Sequence, residues 1–336
     1  MKLICFLLMF LIPQIIFGQE IIFPGLKGDS LRKELVRYYT PKNIDDYDQS
    51  RYKLYHDVFK YQDSIECFYT GYKIPVDRQA NILSWTANYG IQTEHLYPRS
   101  KGSEKLPAMA DLHHLVPVKA TVNTLRKNAP FKEIDDRKTK YWLIGDKVFL
   151  VPDKSKIDEN SEYVTGGFEP RESKKGDVAR SIFYFYTLYQ KQADKSDNRF
   201  FASMLDDLCR WHRIDKVDSF EWKKTMAIGR IQGNVNPFVI DATLAERCYC
   251  SGVISEPIKS YTMELYPNPT KGLFYIYIPE YYGQVIMSIR SESGKLISTH
   301  YLMYSGLITW RLTPGIYDIE LKLESGQVVG RRVLVR

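Results

Sequence analysis

The chain is poor in the residues that build metal-stapled or disulfide-dense scaffolds. Five cysteines are spread over 336 residues, and no two form a CxxC pair. A structural zinc ribbon is therefore not expected. Charge of one sign is also lacking: 47 Lys and Arg face 40 Asp and Glu, a formal net charge of +7. Such a balance permits contact with a polyanion without requiring it. Histidine is scarce, with six residues, and no internal repeat is evident. After the first 18 residues no stretch is apolar enough to span a membrane.

What is present begins with MKLICFLLMFLIPQIIFGQE. Residues 1–18 read as a signal peptide: Lys2 supplies the positive start, an apolar run of about 15 residues follows, and Ile16 and Gly18 suit a cleavage site. The mature chain is thus expected to be secreted or at the cell surface, with no membrane span. Cys5 leaves with the leader. In an oxidising compartment Cys67, Cys209, Cys248 and Cys250 allow three pairings. Cys248 and Cys250 are too close in sequence to bond without strain. The tidy arrangement joins each of them to Cys67 or Cys209, and free thiols are the alternative.

Residues 25–252 read as one mixed block, so the fold class is α+β. Residues 177–191 and 200–212 carry apolar side chains at helical spacing, with Asp197 as the expected N-cap of the second helix. Residues 141–151 suggest two short strands around Gly145 and Asp146. Residues 253–263 form a polar linker. Residues 264–336 alternate apolar and polar positions between turn signals at Asn268-Pro269, Ser293-Gly294, Pro314-Gly315 and Ser325-Gly326. This rhythm indicates a small all-β sandwich. The 25 tyrosines suit β-rich, exported surfaces.

Chemistry concentrates in residues 92–131. His95, His113 and His114 fall there with Glu94, Asp111, Asn123, Asn128, Arg99 and Arg126. Phosphodiester hydrolysis needs a base near neutrality to take a proton from water, which suits histidine. It needs a hard cation for the charge that builds on oxygen; Mg²⁺ accepts oxygen ligands such as a carboxylate and an amide. Glu94 and His95 are neighbours on an extended segment, so their side chains point to opposite faces. Both can serve one site only if the backbone bends or the site wraps the strand. Asn123 lies in a segment able to form a short helix after Pro117. On the residues alone, a zinc site using His95, His113 and His114 stands beside this reading.

The segments TEHLYPRS and DLHHLVPVKATVNTLRKNAPF resemble the endonuclease I family of secreted and periplasmic bacterial nucleases. The resemblance continues through FEPRESKKGDVARSIFYFYTLY, RWHRIDKVDSFEW and IQGNVNPFVID. It implies a mixed α/β nuclease domain over residues 25–252 with a ββα-metal (His-Me finger) motif. The implied activity is Mg²⁺-dependent hydrolysis of DNA, with RNA left open, Ca²⁺ or Mn²⁺ as substitute ions, and little sequence preference. His95 would be the general base, and Glu94 and Asn123 the metal ligands. Asp111, His113 and His114 would orient the site from behind.

The cation that clamps the leaving phosphate is less well placed by the resemblance. Arg99, Lys101 and Lys105 occupy the expected loop, and Arg126 or Arg180 could substitute. Arg99 and Arg126 are taken as the catalytic cations. Lys101, Lys105, Arg180, Gln232 and Asn234 are taken as nucleic-acid contacts. Two departures from the family pattern are Lys216 and Val235, and the second could weaken a backbone contact.

The tail resembles a type IX secretion C-terminal sorting domain, through LYPNPTKGLFYIYI and the terminal GRRVLVR. That implies the type IX machinery as a partner and passage across an outer membrane. The competing class is a non-enzymatic surface adhesin whose front domain is a degenerate nuclease. Intact Glu94, His95 and Asn123 argue against it, and plasmid cleavage separates the two. Oligomeric state is not legible.

Overall fold

The computed structural model describes residues 21–77, 80–253, 261–279, 281, 283–304, 306–323 and 328–336. The leader, most of the linker and the Ser325-Gly326 turn lie outside the described residues. The chain divides into two units between residues 253 and 254.

The first unit opens with α1 (Gly28–Tyr39) and α2 (Tyr47–Lys53). Asp46 caps α2, accepting from Gln49 N at 2.9 Å. A hairpin of β1 (Ser64–Glu66) and β2 (Lys73–Pro75) leads to α3 (Ile82–Asn88), capped by Asn81. Next come β3 (Ile91–His95) and β4 (Leu115–Lys119), paired antiparallel with Glu94 opposite Val116 and His95 opposite Leu115. Pro117 in β4 has no N–H to donate, and its carbonyl accepts from Phe68 N at 2.8 Å. α4 (Ala120–Arg126) follows β4 without a loop. Strand, strand and helix thus run together, with α4 continuing directly from β4.

Between β3 and β4 the chain runs over α5 (Lys175–Asp197). Gly102 makes that approach close: a Cβ there would stand 2.7 Å from Ala193 Cα, and its φ of +132° is one that side-chain-bearing residues avoid. β5 (Tyr141–Ile144) and β6 (Lys147–Phe149) turn at Gly145 as expected, and with β7 (Ser161–Val164) and β8 (Gly167–Glu169) they form a four-stranded antiparallel sheet.

α5 is the axis of the unit. It is buried on every side from Val178 to Phe185, as a helix enclosed by others is. α6 (Leu205–Ile214), α7 (Ser219–Gln232) and the short α8 (Pro237–Ile240) pack around it. The Asp197 expectation is corrected. Asp197 ends α5 and accepts from Arg199 N at 3.1 Å, while α6 starts later, at Leu205, without a side-chain cap. Between them a short 3-10 turn, Ala202–Met204, interrupts the anticipated helix, and the Phe201 ring before it stacks on Tyr186 at 3.8 Å.

Cys209 of α6 is bonded to Cys250, across 41 residues. Cys67 and Cys248 are buried free thiols, so the second expected pairing is corrected. Cys67 Sγ instead accepts from Lys119 N at 3.2 Å, at the edge of β4.

The second unit is the expected sandwich. β9 (Glu264–Tyr266), β10 (Leu273–Tyr277) and β13 (Ile308–Arg311) form one antiparallel sheet. β11 (Gly283–Ser291), β12 (Leu296–Tyr304), β14 (Gly315–Leu323) and β15 (Val328–Val335) form the other. Register places Val285, Met287 and Ile289 opposite Leu323, Leu321 and Ile319, and all six are buried. Period-two alternation therefore delivers one apolar face per strand. Among the described residues no helix is long and apolar enough to cross a membrane.

Candidate active site

β3 ends on Glu94 and His95, and both are enclosed, each 5% exposed. Strand alternation sends them to opposite sides, and each side has its own supports. His95 stacks on Tyr47 of α2, with ring centroids 5.5 Å apart, and lies 5.4 Å from the His114 ring. Its Nε2 is 2.9 Å from the Met109 carbonyl oxygen. A carbonyl only accepts, so Nε2 carries the proton and the lone pair resides on Nδ1. Among the described residues Nδ1 has no hydrogen-bond partner. Burial, helped by the neighbouring His114, lowers the His95 pKa to about 3, which keeps the ring neutral at pH 7.

On the other side, Glu94 Oε1 accepts from Arg126 Nη1 at 2.7 Å and from Tyr69 OH at 3.4 Å. Both donors meet the same oxygen, which leaves Oε2 for another partner. Burial raises the Glu94 pKa, and the Arg126 charge opposes that rise. Gln92, two residues back on the same face, accepts from Asn123 Nδ2 at 3.3 Å. Asn123 and Arg126 are three apart on α4 and so share a helix face. One face of β3 is thus tied to one face of α4 at two points. Asn123 has its nitrogen engaged and its Oδ1 left over.

The chemistry of this donor set fits Mg²⁺. Glu94 offers one charged oxygen and Asn123 one neutral oxygen, each with its other polar atom already engaged. The zinc reading of His95, His113 and His114 does not fit. Their Nε2 atoms meet the carbonyls of Met109, Asn234 and Ala108, so only Nδ1 of each ring could ligate. Nor do the three rings form a metal-spaced group among the described residues.

The metal-spaced group found among the described residues is Glu133, Glu169 and Glu172. Lys175 Nζ occupies its centre, 3.1 Å from Glu133 and 2.7 Å from Glu169, with Glu172 in contact as well. Trp211 Nε1 donates to Glu133 at 2.7 Å. Burial pushes Glu169 up to about 7, against the pull of Lys175.

Asp111, His113 and His114 are buried, and the His114 ring lies 5.4 Å from the His95 ring. Asp111 is fully buried and accepts from Tyr184 OH and Tyr189 OH, both at 2.8 Å. The anticipated cations divide. Arg99 is exposed and has no ion-pair partner among the described residues, and its charge is felt by His95 and Tyr47. Lys105 is exposed, while Lys101 is held by Asp197 at 2.7 Å.

Arg126 is corrected as a phosphate clamp. Its side chain is enclosed, and its donors point to Glu94, the His95 carbonyl and the Leu96 carbonyl. Arg180 is also corrected: it is buried against Glu221 at 2.6 Å and the Asp215 carbonyl at 2.7 Å. Gln232 and Asn234 are corrected as nucleic-acid contacts. Gln232 joins Asp111 at 3.0 Å, and Asn234 joins Tyr184 OH at 2.7 Å, in an enclosed polar network. Buried polar groups find partners inside the protein, so these three side chains present nothing to a ligand. Tyr47, Tyr69, Gln92 and the Met109 carbonyl were not anticipated. Only Gln92 had a signal, its period-two spacing from Glu94.

β3, β4 and α4 thus carry a neutral histidine on one side of the strand and the Glu94–Arg126 and Asn123–Gln92 contacts on the other. Residues 25–243 match the family model described as Endonuclease I, and the chain belongs to the endonuclease I family. Residues 264–336 match the model of a secretion system C-terminal sorting domain. The chain is 31% identical over 160 residues to the extracellular ribonuclease of Bacillus subtilis (strain 168), covering 44% of this chain and 49% of that protein. It is 31% identical over 159 residues to the extracellular ribonuclease of Bacillus amyloliquefaciens, covering 44% and 49%. It is 25% identical over 139 residues to the periplasmic deoxyribonuclease of Aeromonas hydrophila, covering 41% and 51%. The chain spans about half the length of the curated relatives it matches.

Proposed function

We propose that this protein is a secreted endonuclease that hydrolyses the phosphodiester backbone of DNA, and of RNA, with little sequence preference. In this reading His95 is the general base, and Glu94 and Asn123 hold one Mg²⁺. The observation that carries it is the two-point clasp between β3 and α4, which leaves Glu94 Oε2 and Asn123 Oδ1 as spare oxygens, with the neutral His95 next along the strand. Relatives named as ribonucleases and as a deoxyribonuclease support activity on both sugars.

When bound, Mg²⁺ would neutralise charge on the phosphoryl and leaving oxygens. His95 Nδ1 takes the proton of the attacking water, and the Met109 carbonyl, accepting from Nε2, steadies the imidazolium that forms. Arg126 fixes one Glu94 oxygen so that the other keeps its direction. Arg99 is the exposed cation available to a backbone phosphate. Contacts of this kind, to phosphate rather than to base edges, carry no sequence information. The sorting domain directs the protein through the type IX machinery to the outside of the cell.

The test is nicking of supercoiled plasmid and cleavage of RNA by purified protein with Mg²⁺, with EDTA as the control. Loss of cutting with EDTA and in His95→Ala is expected. Full activity in His95→Ala removes the assigned base.

A further inference from the structure

Whether a metal is held before substrate arrives, or only with it, depends on the charge that the protein presents. The inference here rests on the ligand pair proposed above. Glu94 brings the one negative charge to that pair. Asn123 and Gln92 bring none. Arg126 Nη1 lies 2.7 Å from the same carboxylate, with its side chain 0% exposed. It also donates to the His95 carbonyl at 3.0 Å and the Leu96 carbonyl at 2.8 Å, so it is held in place from three directions.

Two other acids bear on the site. Asp111 is buried and already accepts from Tyr184, Tyr189 and Gln232. Asp48 is exposed and paired with Arg51 at 3.3 Å. Arg99 adds a positive charge that His95 and Tyr47 both feel. A dication therefore meets a protein surface with no net negative charge, while it must give up part of a tightly held water shell. A backbone phosphate supplies the missing charge.

We propose that Arg126 is a positioning residue that cancels the Glu94 charge, so that protein and substrate phosphate capture the metal jointly and the two ligands bind cooperatively. Such coupling is reciprocal: metal tightens nucleic acid by the factor with which nucleic acid tightens metal.

The experiment uses full-length His95→Ala protein, Mn²⁺ followed by its electron paramagnetic resonance signal, and a short DNA duplex that this variant leaves uncut. Duplex is expected to tighten Mn²⁺ at least about ten-fold, and Mn²⁺ to tighten duplex, read by fluorescence anisotropy, by the same factor. Adding Arg126→Gln is expected to raise Mn²⁺ affinity without duplex about ten-fold and to shrink the coupling. The comparison with and without duplex needs no Arg126 variant, so it stands if that variant misfolds. Equal Mn²⁺ affinity with and without duplex, abolished by Glu94→Gln, overturns the coupling while keeping Glu94 as ligand. Mn²⁺ binding indifferent to Glu94→Gln overturns the ligand assignment and the coupling with it.

Discussion

Arg126 Nη1 and Glu94 Oε1 stand 2.7 Å apart in a pair that water scarcely reaches. Removing one partner of such a pair strands the other. Arg126→Ala is expected to destabilise the fold by about 3–5 kcal/mol, since it leaves a buried carboxylate without its counter-charge. Urea unfolding measures this, and a loss below about 1 kcal/mol would show that the pair does not hold the site together.

His95→Ala is expected to lower kcat by about 10²–10⁴-fold with little change in melting temperature. The pH profile is a separate check. With a pKa near 3, His95 is unprotonated from neutrality down to mildly acid pH. Its role as base is present above that value and is lost as pH falls through it. A rate that drops on one ionisation near 6.5 would contradict the buried, neutral ring.

Arg99 and Arg180 should behave oppositely. Arg99→Ala removes an exposed cation and is expected to lower kcat/KM about ten-fold with stability unchanged. Arg180→Met breaks the buried pair with Glu221 and is expected to lower stability by about 3–5 kcal/mol. Paired thermal melts and cleavage rates decide the matter. Equal melting temperatures for the two variants would refute the division.

Acid should weaken the fold through His113 and His212. Burial holds both near 4, below the free value of about 6.5. The unfolded chain therefore binds more protons between those values, and stability falls as pH drops from about 6.5 towards 4. Urea midpoints at pH 7.5, 6 and 5 test the slope. His113→Gln should flatten it, and an unchanged slope would exclude His113 as a contributor.

The Cys209–Cys250 bond closes 41 residues. Loop-closure entropy for that length is worth about 4 kcal/mol. Cys209→Ser is expected to lower the melting point clearly, whereas Cys67→Ser, at a free thiol, should not reproduce the loss through any missing bond. Thiol titration of the unfolded, unreduced protein should count two free groups in the mature chain.

The local parts of the site were legible because they are written in short-range pattern. Extended residues around Glu94, a turn at Gly145 and a brief helix holding Asn123 all follow from alternation, turn chemistry and spacing. The opposed directions of Glu94 and His95 were legible for the same reason. Partners far along the chain were not. Arg180 reads as a spare cation until Glu221, 41 residues on, is seen to enclose it. Gln232 and Asn234 read as pocket polar groups, yet they answer Asp111 and Tyr184 from the end of α7 and the loop just past it. Asp197 looks like a cap because Phe200 and Phe201 mimic helical spacing, although the short 3-10 turn at Ala202–Met204 interrupts the helix there.

The nest of Glu133, Glu169 and Glu172 has the acidity of a calcium cage, but its occupant is the ammonium of Lys175. That counter-ion is inherited with the polypeptide and cannot be withdrawn by a chelator. Architecture and chemistry therefore answer to different supplies. Stripping divalent ions is therefore expected to leave this nest, and the packing of α5 that it anchors, unchanged.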